Sequence, residues 1–178
     1  MLPEPWIPHN ARRFLDTLLT PDKVVFEWGS GESTKYFAER VKKVVSIEHD
    51  KNIPFINIDN VEYKQISPVT SVWIDPCNPI GFASHSMRNM SFEKYVCSFT
   101  KYAKTTDIIL IDGRARNSCL NLAIEKANPG AWIILDNTER TYYTNNIPLF
   151  VKKWDKIVFF GTGPINTYKW ECTFWQKS

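Results

Sequence analysis

Two acidic constellations stand out by residue type and spacing. Glu27 sits just ahead of Gly29-Ser30-Gly31, and Glu48 follows about twenty residues further on, before His49 and Asp50. Glycines at 29 and 31 let the backbone turn sharply and let a ligand approach the main chain where a Cβ would collide. An acid placed like Glu48 can accept both hydroxyl protons of a ribose, so the two features together point to a nucleoside. The second constellation is Asp112, followed by Gly113-Arg114, and the pair Asp136-Asn137. Two carboxylates and an amide oxygen form a hard, oxygen-only set, suited to Mg²⁺ with water and substrate oxygens completing an octahedron.

Particular elements must bring these residues together. Val24-Val25-Phe26 reads as a buried strand, Ser33 as the cap of the helix after the glycine loop, and a second apolar run closes at Ile47-Glu48. That is a βαβ unit, with the helix's first free N–H groups facing the crevice above the loop. Upstream, residues 1–8 carry three prolines and form an arm that Trp6 and Ile7 can anchor. Asn10 then caps a helix with Ala11, Phe14, Leu15 and Leu18 on one face, stopped by Pro21.

Downstream, Val61 to Ile66 is a third strand with Ser67 at its tip. Pro68 to Asn89 is long and irregular, leaves a carboxyl end of the sheet, and is expected to overhang a substrate, with His85 and Arg88 as its reactive side chains. Ser91 caps a helix bearing Phe92, Tyr95, Val96 and Phe99 on one face. Ile108 to Ile111 is an unbroken apolar run, as in a strand buried on both faces, and delivers Asp112. A helix from about Arg116 to Lys126, a strand from Trp132 to Leu135 ending at Asp136-Asn137, a helical segment near Asn145 to Trp154 and a strand at Ile157 to Phe160 follow. Tyr168 to Trp175 alternates polar and apolar residues, which predicts an antiparallel strand.

The glycine loop lacks the third glycine of a dinucleotide fingerprint, that position being Thr34, and lacks the Gly-Lys-Ser/Thr of a P-loop. A carboxylate at the loop's mouth, Glu27, would repel a pyrophosphate and suit an ammonium or sulfonium. With Glu27 before it and Glu48 after it, the loop resembles the first motif of the class I S-adenosyl-L-methionine (SAM)-dependent methyltransferases, E/D-x-G-x-G with an acid ending the second strand. The resemblance covers roughly Val24 to Trp175. It implies an α/β, Rossmann-like fold: a mostly parallel seven-stranded sheet with an antiparallel last strand and helices on both faces. It further implies SAM held by Glu27, Gly29, Ser30, Gly31, Ser33, Thr34, Glu48, His49 and Asp112, with Ser67 near the adenine.

Asp112 with Asp136-Asn137 is similar to the metal site of the catechol and caffeoyl-CoA type O-methyltransferases, and carried across by position the ligands would be Asp112, Asp136 and Asn137. The lysine those enzymes carry near Ala115 is missing here, so Arg114, Arg116 or His85 would have to assist the acceptor's deprotonation or hold an anionic group, with Asp112 facing the transferring methyl. In the metal-free alternative Asp112 accepts a hydrogen bond from the cofactor's ammonium or the acceptor, and Asp136-Asn137 cap the next helix. Asp112-Gly113-Arg114-Ala115-Arg116 followed by Arg140-x-x-Tyr143 also resembles a broad group of small bacterial-type methyltransferases, which makes Arg116, Arg140 and Tyr143 candidates for the acceptor pocket.

Composition bounds the rest. With 178 residues, 43% of them hydrophobic, the chain can bury a sizeable core as one domain, 1–178, with 1–22 as arm and helix and 68–90 as the substrate-side loop. No apolar stretch approaches the roughly 20 residues that span a bilayer, and the N-terminus lacks the regions of a signal peptide, so a cytoplasmic location is expected. Four scattered cysteines without a C-x-x-C pair argue against a zinc site or a disulfide framework. A net charge of +3, with its basic doublets separated, makes nucleic acid the minority expectation and a small-molecule acceptor the main one. Oligomeric state is not legible. Rival readings are a SAM-binding protein of the same fold that has lost transfer and a nicotinamide-dependent oxidoreductase.

Overall fold

A computed structural model describes residues 3–178. Its strands, in chain order, are β1 (Val24–Trp28), β2 (Lys43–Glu48), β3 (Val61–Gln65), β4 (Val69–Thr70), β5 (Met90–Ser91), β6 (Ile108–Ile111), β7 (Trp132–Asp136), β8 (Asp155–Gly161) and β9 (Trp170–Gln176). Seven of them form the central sheet, in the order β3-β2-β1-β6-β7-β9-β8. The first five in that order run parallel, and β9 pairs antiparallel with both β7 and β8, so β8 shares their direction. This is the expected Rossmann-like sheet, closed by a hairpin whose second strand inserts between its neighbours. β6 is apolar throughout, and its neighbours β1 and β7 nearly so, because both faces are covered. On one face α1 (His9–Leu18) and α2 (Glu32–Ala38) pack Leu15, Tyr36 and Phe37 against Val25, Val44 and Ile108. On the other, α3 (Glu93–Cys97) and α4 (Arg116–Lys126) pack Tyr95, Val96, Leu120 and Ala123 against Phe26, Trp28, Ile109 and Ile133.

Register sets the position of the chemistry. Trp28 is paired with both Ile47 and Ile111, and Ile111 with Leu135, so these strands end level with one another. The loop after Trp28, Glu48, Asp112 and Asp136 therefore emerge at one edge. The small antiparallel pair of β4 and β5 closes the base of the intervening loop.

Three local expectations need correction. The helix expected near Asn145 to Trp154 is a single 3₁₀ turn, Leu149–Lys153, with another at Thr141–Tyr143 ahead of that range, because Pro148 removes a donor and restricts its predecessor mid-segment. The helix after Ser91 shortens to Glu93–Cys97 and tightens into a 3₁₀ turn at Ser98–Lys101, although its apolar face is buried as read. α1 starts at His9 behind Pro8, and Asn10 instead donates to the Phe160 carbonyl at 3.2 Å. In the N-terminal arm, Met1 and Leu2 lie outside the described residues.

Candidate active site

A cleft of about 820 Å³ opens at the carboxyl edge of the sheet. Its floor is the Gly29–Gly31 loop packed on the Asp112-Gly113 turn: a Cβ on Gly29, whose φ is +100°, would meet the Cα and N of Gly113 at 2.9 Å. A Cβ on Gly31 would meet nothing within 4 Å, so that side of the loop faces open space. Of the candidates, Gly29, Ser30, Gly31, Ser33, Glu48, His49, Asp112, Arg114 and Arg116 line this one cleft.

Glu27 is placed differently from expectation. Its side chain lies fully buried beneath the loop instead of at its mouth, and accepts hydrogen bonds from the hydroxyls of Ser33 (2.8 Å), Ser46 (2.7 Å) and Thr34. Burial pushes its pKa up to about 7, against the pull of the three hydroxyls. Glu27 thus ties β1, β2 and the start of α2 into one frame. Ser33 is not the cap, since α2 begins at Glu32 with Gly31 before it, and Thr34 Oγ1 accepts the Gly31 N–H at 3.0 Å. The hydroxyls read as ligand groups are loop supports.

Glu48 stands in the cleft wall as predicted, but it is already engaged. Its Oε2 accepts the Ser30 N–H at 2.8 Å and its Oε1 the N–H groups of His49 (2.7 Å) and Asp50 (2.8 Å). His49 Nδ1 is also 2.7 Å from Oε1, a close contact without hydrogen-bond alignment. Burial opposes ionisation, yet the close His49 side chain and the backbone N–H groups of Asp50 and Ser30 together hold the pKa below the ordinary value. Of the roughly four acceptor positions of a carboxylate, about one is left, on Oε2, for a ribose hydroxyl.

The oxygen set read as a metal site does not fit one. Arg116 is 8% exposed, and its guanidinium lies between Asp112, Asp136 and Asn137. Nη2 donates to Asp112 Oδ1 (2.8 Å) and Asp112 O (2.7 Å), Nη1 to Asp136 O (2.7 Å) and Asn137 Oδ1 (3.2 Å), and Nε to Gly113 O (3.1 Å). Asp136 Oδ2 is 3.8 Å from Nη1, and its Oδ1 accepts the Trp170 indole N–H at 2.8 Å. The three would-be ligands thus converge on a side chain. Burial raises the Asp112 pKa against the opposing charge of Arg116, and burial, then the Asp112 charge, raises that of Asp136 well above the carboxylate range.

The acceptor candidates lie beyond Arg116. Tyr143 faces the guanidinium, its ring 5.4 Å from Cζ. His85 stacks on Tyr142 at 4.0 Å, with Tyr143 6.0 Å away, which brings the long loop against the segment after β7. His85, Arg116 and Tyr143, together with Ser84, Gly113 and Arg114, border a small depression next to the cleft. Arg140 is exposed and 3.5 Å from Glu139, and it lies against Tyr143, whose hydroxyl raises the guanidinium's pKa against the effect of burial. Ser67, expected at the adenine, is exposed, donates to the His49 carbonyl at 3.2 Å and does not border the cleft.

No protein-family model matches the chain, and no curated protein sequence matches it. Solved structures do. An O-methyltransferase from Bacillus cereus in complex with S-adenosylhomocysteine (SAH) superposes with a TM-score of 0.61 at 16% identity, over 99% of this chain and 84% of that one. An O-methyltransferase of tomaymycin synthesis from Streptomyces achromogenes, in complex with SAM, gives 0.59 at 12% identity over 93% and 78%. An rRNA methylase from Streptococcus thermophilus gives 0.58 at 11% over 96% of both chains. The fold is that of the SAM-dependent methyltransferases.

Within this methyltransferase fold, sequence reasoning missed one wall of the cleft. Residues 53–58 and Trp6 close it opposite the glycine loop, with Phe55 69% and Trp6 56% exposed. Ile53-Pro54-Phe55-Ile56 carries neither helical nor strand periodicity, and an apolar run without periodicity was the available signal. Two exposed rings at the border of a cleft suit a flat ligand.

Proposed function

We propose that this chain is a methyltransferase that transfers a methyl group from SAM to an oxygen of a small-molecule acceptor, acting as one domain. The observation that carries the reading is the cleft itself. The glycine loop, Glu48, Asp112 and two exposed aromatic rings surround a volume of the size that encloses a cofactor. Similarity of fold to proteins bound to SAM or SAH supports the choice of cofactor.

When bound, SAM supplies a methyl group on a cationic sulfur, passed in line to the acceptor. Glu48 would accept one ribose hydroxyl, Phe55 and Trp6 would cover the base, and the Gly29–Gly31 backbone would lie along the chain of the amino acid. Asp112, bordering the cleft, would accept the acceptor's hydroxyl proton or its hydrogen bond. Arg114 lines the same cleft, with the His49 ring as its side-chain hydrogen-bond partner at 3.4 Å, and would hold an anionic group of acceptor or cofactor. Holding the acceptor hydroxyl in line with the methyl group would then be the cleft's main contribution to the rate.

The test is incubation with tritiated-methyl SAM and a cell extract separated into small molecules, RNA and protein. Label in the small-molecule fraction, lost in Asp112→Ala while SAH affinity stays within a few fold, supports the reading. Label confined to RNA replaces it with an RNA methylase.

A further inference from the structure

We propose that Arg116 is a positioning residue that serves as the permanent cation of this site, standing where the Asp112, Asp136 and Asn137 oxygens would otherwise hold a divalent ion. The proposal rests on the methyltransferase reading for its purpose, but on the geometry of Arg116 for its content. A guanidinium has five N–H donors in a rigid plane, and here five oxygens meet them: Asp112 O and Oδ1, Asp136 O, Asn137 Oδ1 and Gly113 O. An octahedral ion needs its ligand oxygens to converge on a point at about 2.0–2.1 Å. These oxygens instead surround a planar fork, and its positive charge repels a second cation.

The local backbone is bent to achieve this. Arg116 is the first residue of α4, where the helix dipole disfavours a cation, so its place has to be secured by the carboxylates. Ala115 before it has φ 49° and ψ 40°, and Asn137 has φ 61°; two non-glycine residues in the left-handed region flank the guanidinium from both strand ends. The Ala115 conformation turns the first helical side chain back beneath the ends of β6 and β7. The ring of Tyr143 covers the guanidinium from the acceptor side. Arg116 thereby fixes the orientation of Asp112 at the floor of the cleft, a task that would otherwise fall to an exchangeable metal.

Titration with Mn²⁺ in the presence of SAH, followed by the electron paramagnetic resonance of the free ion, tests this without a known acceptor. The full-length wild type should leave the free-ion signal undiminished. Arg116→Ala, which removes the cation and leaves the Asp112, Asp136 and Asn137 side chains, should take up one Mn²⁺ per chain and lose it again when Asp136→Asn is added. Arg116→Lys, retaining the charge, should remain without Mn²⁺. A merely structural arginine would give no such gain of ion binding. Uptake of one Mn²⁺ by the wild type, abolished by Asp112→Asn, overturns the proposal, as does a folded Arg116→Ala that binds none. If Arg116→Ala does not fold, the wild-type titration decides alone. SAH calorimetry on the same samples keeps the two claims apart: loss of SAH binding in the wild type defeats the methyltransferase reading whatever the Mn²⁺ result.

Discussion

Glu27→Gln isolates the energetics of the buried frame beneath the glycine loop. In the folded chain the Glu27 pKa is raised from 4.5 to about 7, first by burial. Between those values the folded state holds a proton that the unfolded chain has released. Unfolding free energy therefore falls as pH rises through this window, and the group's destabilisation is complete above the folded pKa. At about 1.4 kcal/mol per unit, a rise of about two and a half units corresponds to about 3 kcal/mol lost between pH 4.5 and 7, to within about a unit's worth. The glutamine of the variant keeps the shape and does not titrate; Thr34 and Ser46 can donate to its amide oxygen while the Ser33 hydroxyl rotates to accept from its NH₂. Urea unfolding of both proteins at half-unit pH steps should give curves whose difference grows by about 3 kcal/mol in favour of the variant as pH rises through the window. SAH affinity at neutral pH should change by no more than a few fold, because Glu27 does not border the cleft. Parallel wild-type and variant curves would refute the reasoning, since Glu27 would then titrate as an ordinary carboxylate.

Other consequences follow from the same geometry. A Cβ on Gly113 would collide with the buried, unpartnered Tyr95 hydroxyl, so Gly113→Ala should cost about 3 kcal/mol in thermal unfolding. Adding Tyr95→Phe, which removes only that oxygen, should restore much of the loss; equal melting of single and double variants would contradict the contact. Glu48→Gln sets an NH₂ group among the Ser30, His49 and Asp50 N–H donors, and should lower both stability, by about 1.5–3 kcal/mol, and SAH affinity. Phe55→Ala removes an exposed ring from the cleft rim and should weaken SAH about tenfold with little change in melting temperature.

The strands of the sheet were legible because buried parallel strands leave unbroken apolar runs, as at Ile108 to Ile111, and because a short glycine loop between strand and helix has few alternatives. The position of Glu48 followed from the same logic. Glu27 was misplaced because residue type cannot tell a carboxylate aimed at a ligand from one buried under three hydroxyls; that depends on the side-chain direction at one strand position. The acidic pair was read as a metal site because spacing shows oxygens but not what fills the space between them. Arg116 stood in the sequence as an acceptor candidate, and only the left-handed turn at Ala115, which alanine does not advertise, swings it between the carboxylates. The Phe55 wall escaped notice because an irregular apolar segment has no period to detect. At residues 145–154 the pattern suggested a helix that Pro148 cuts down to the one 3₁₀ turn Leu149–Lys153.

The most direct measurement is isothermal calorimetry of the full chain with SAM, SAH and NAD in turn. One molecule of SAM or SAH should bind per chain, with NAD giving no heat. Binding of NAD with neither sulfur compound bound would contradict the account at its root.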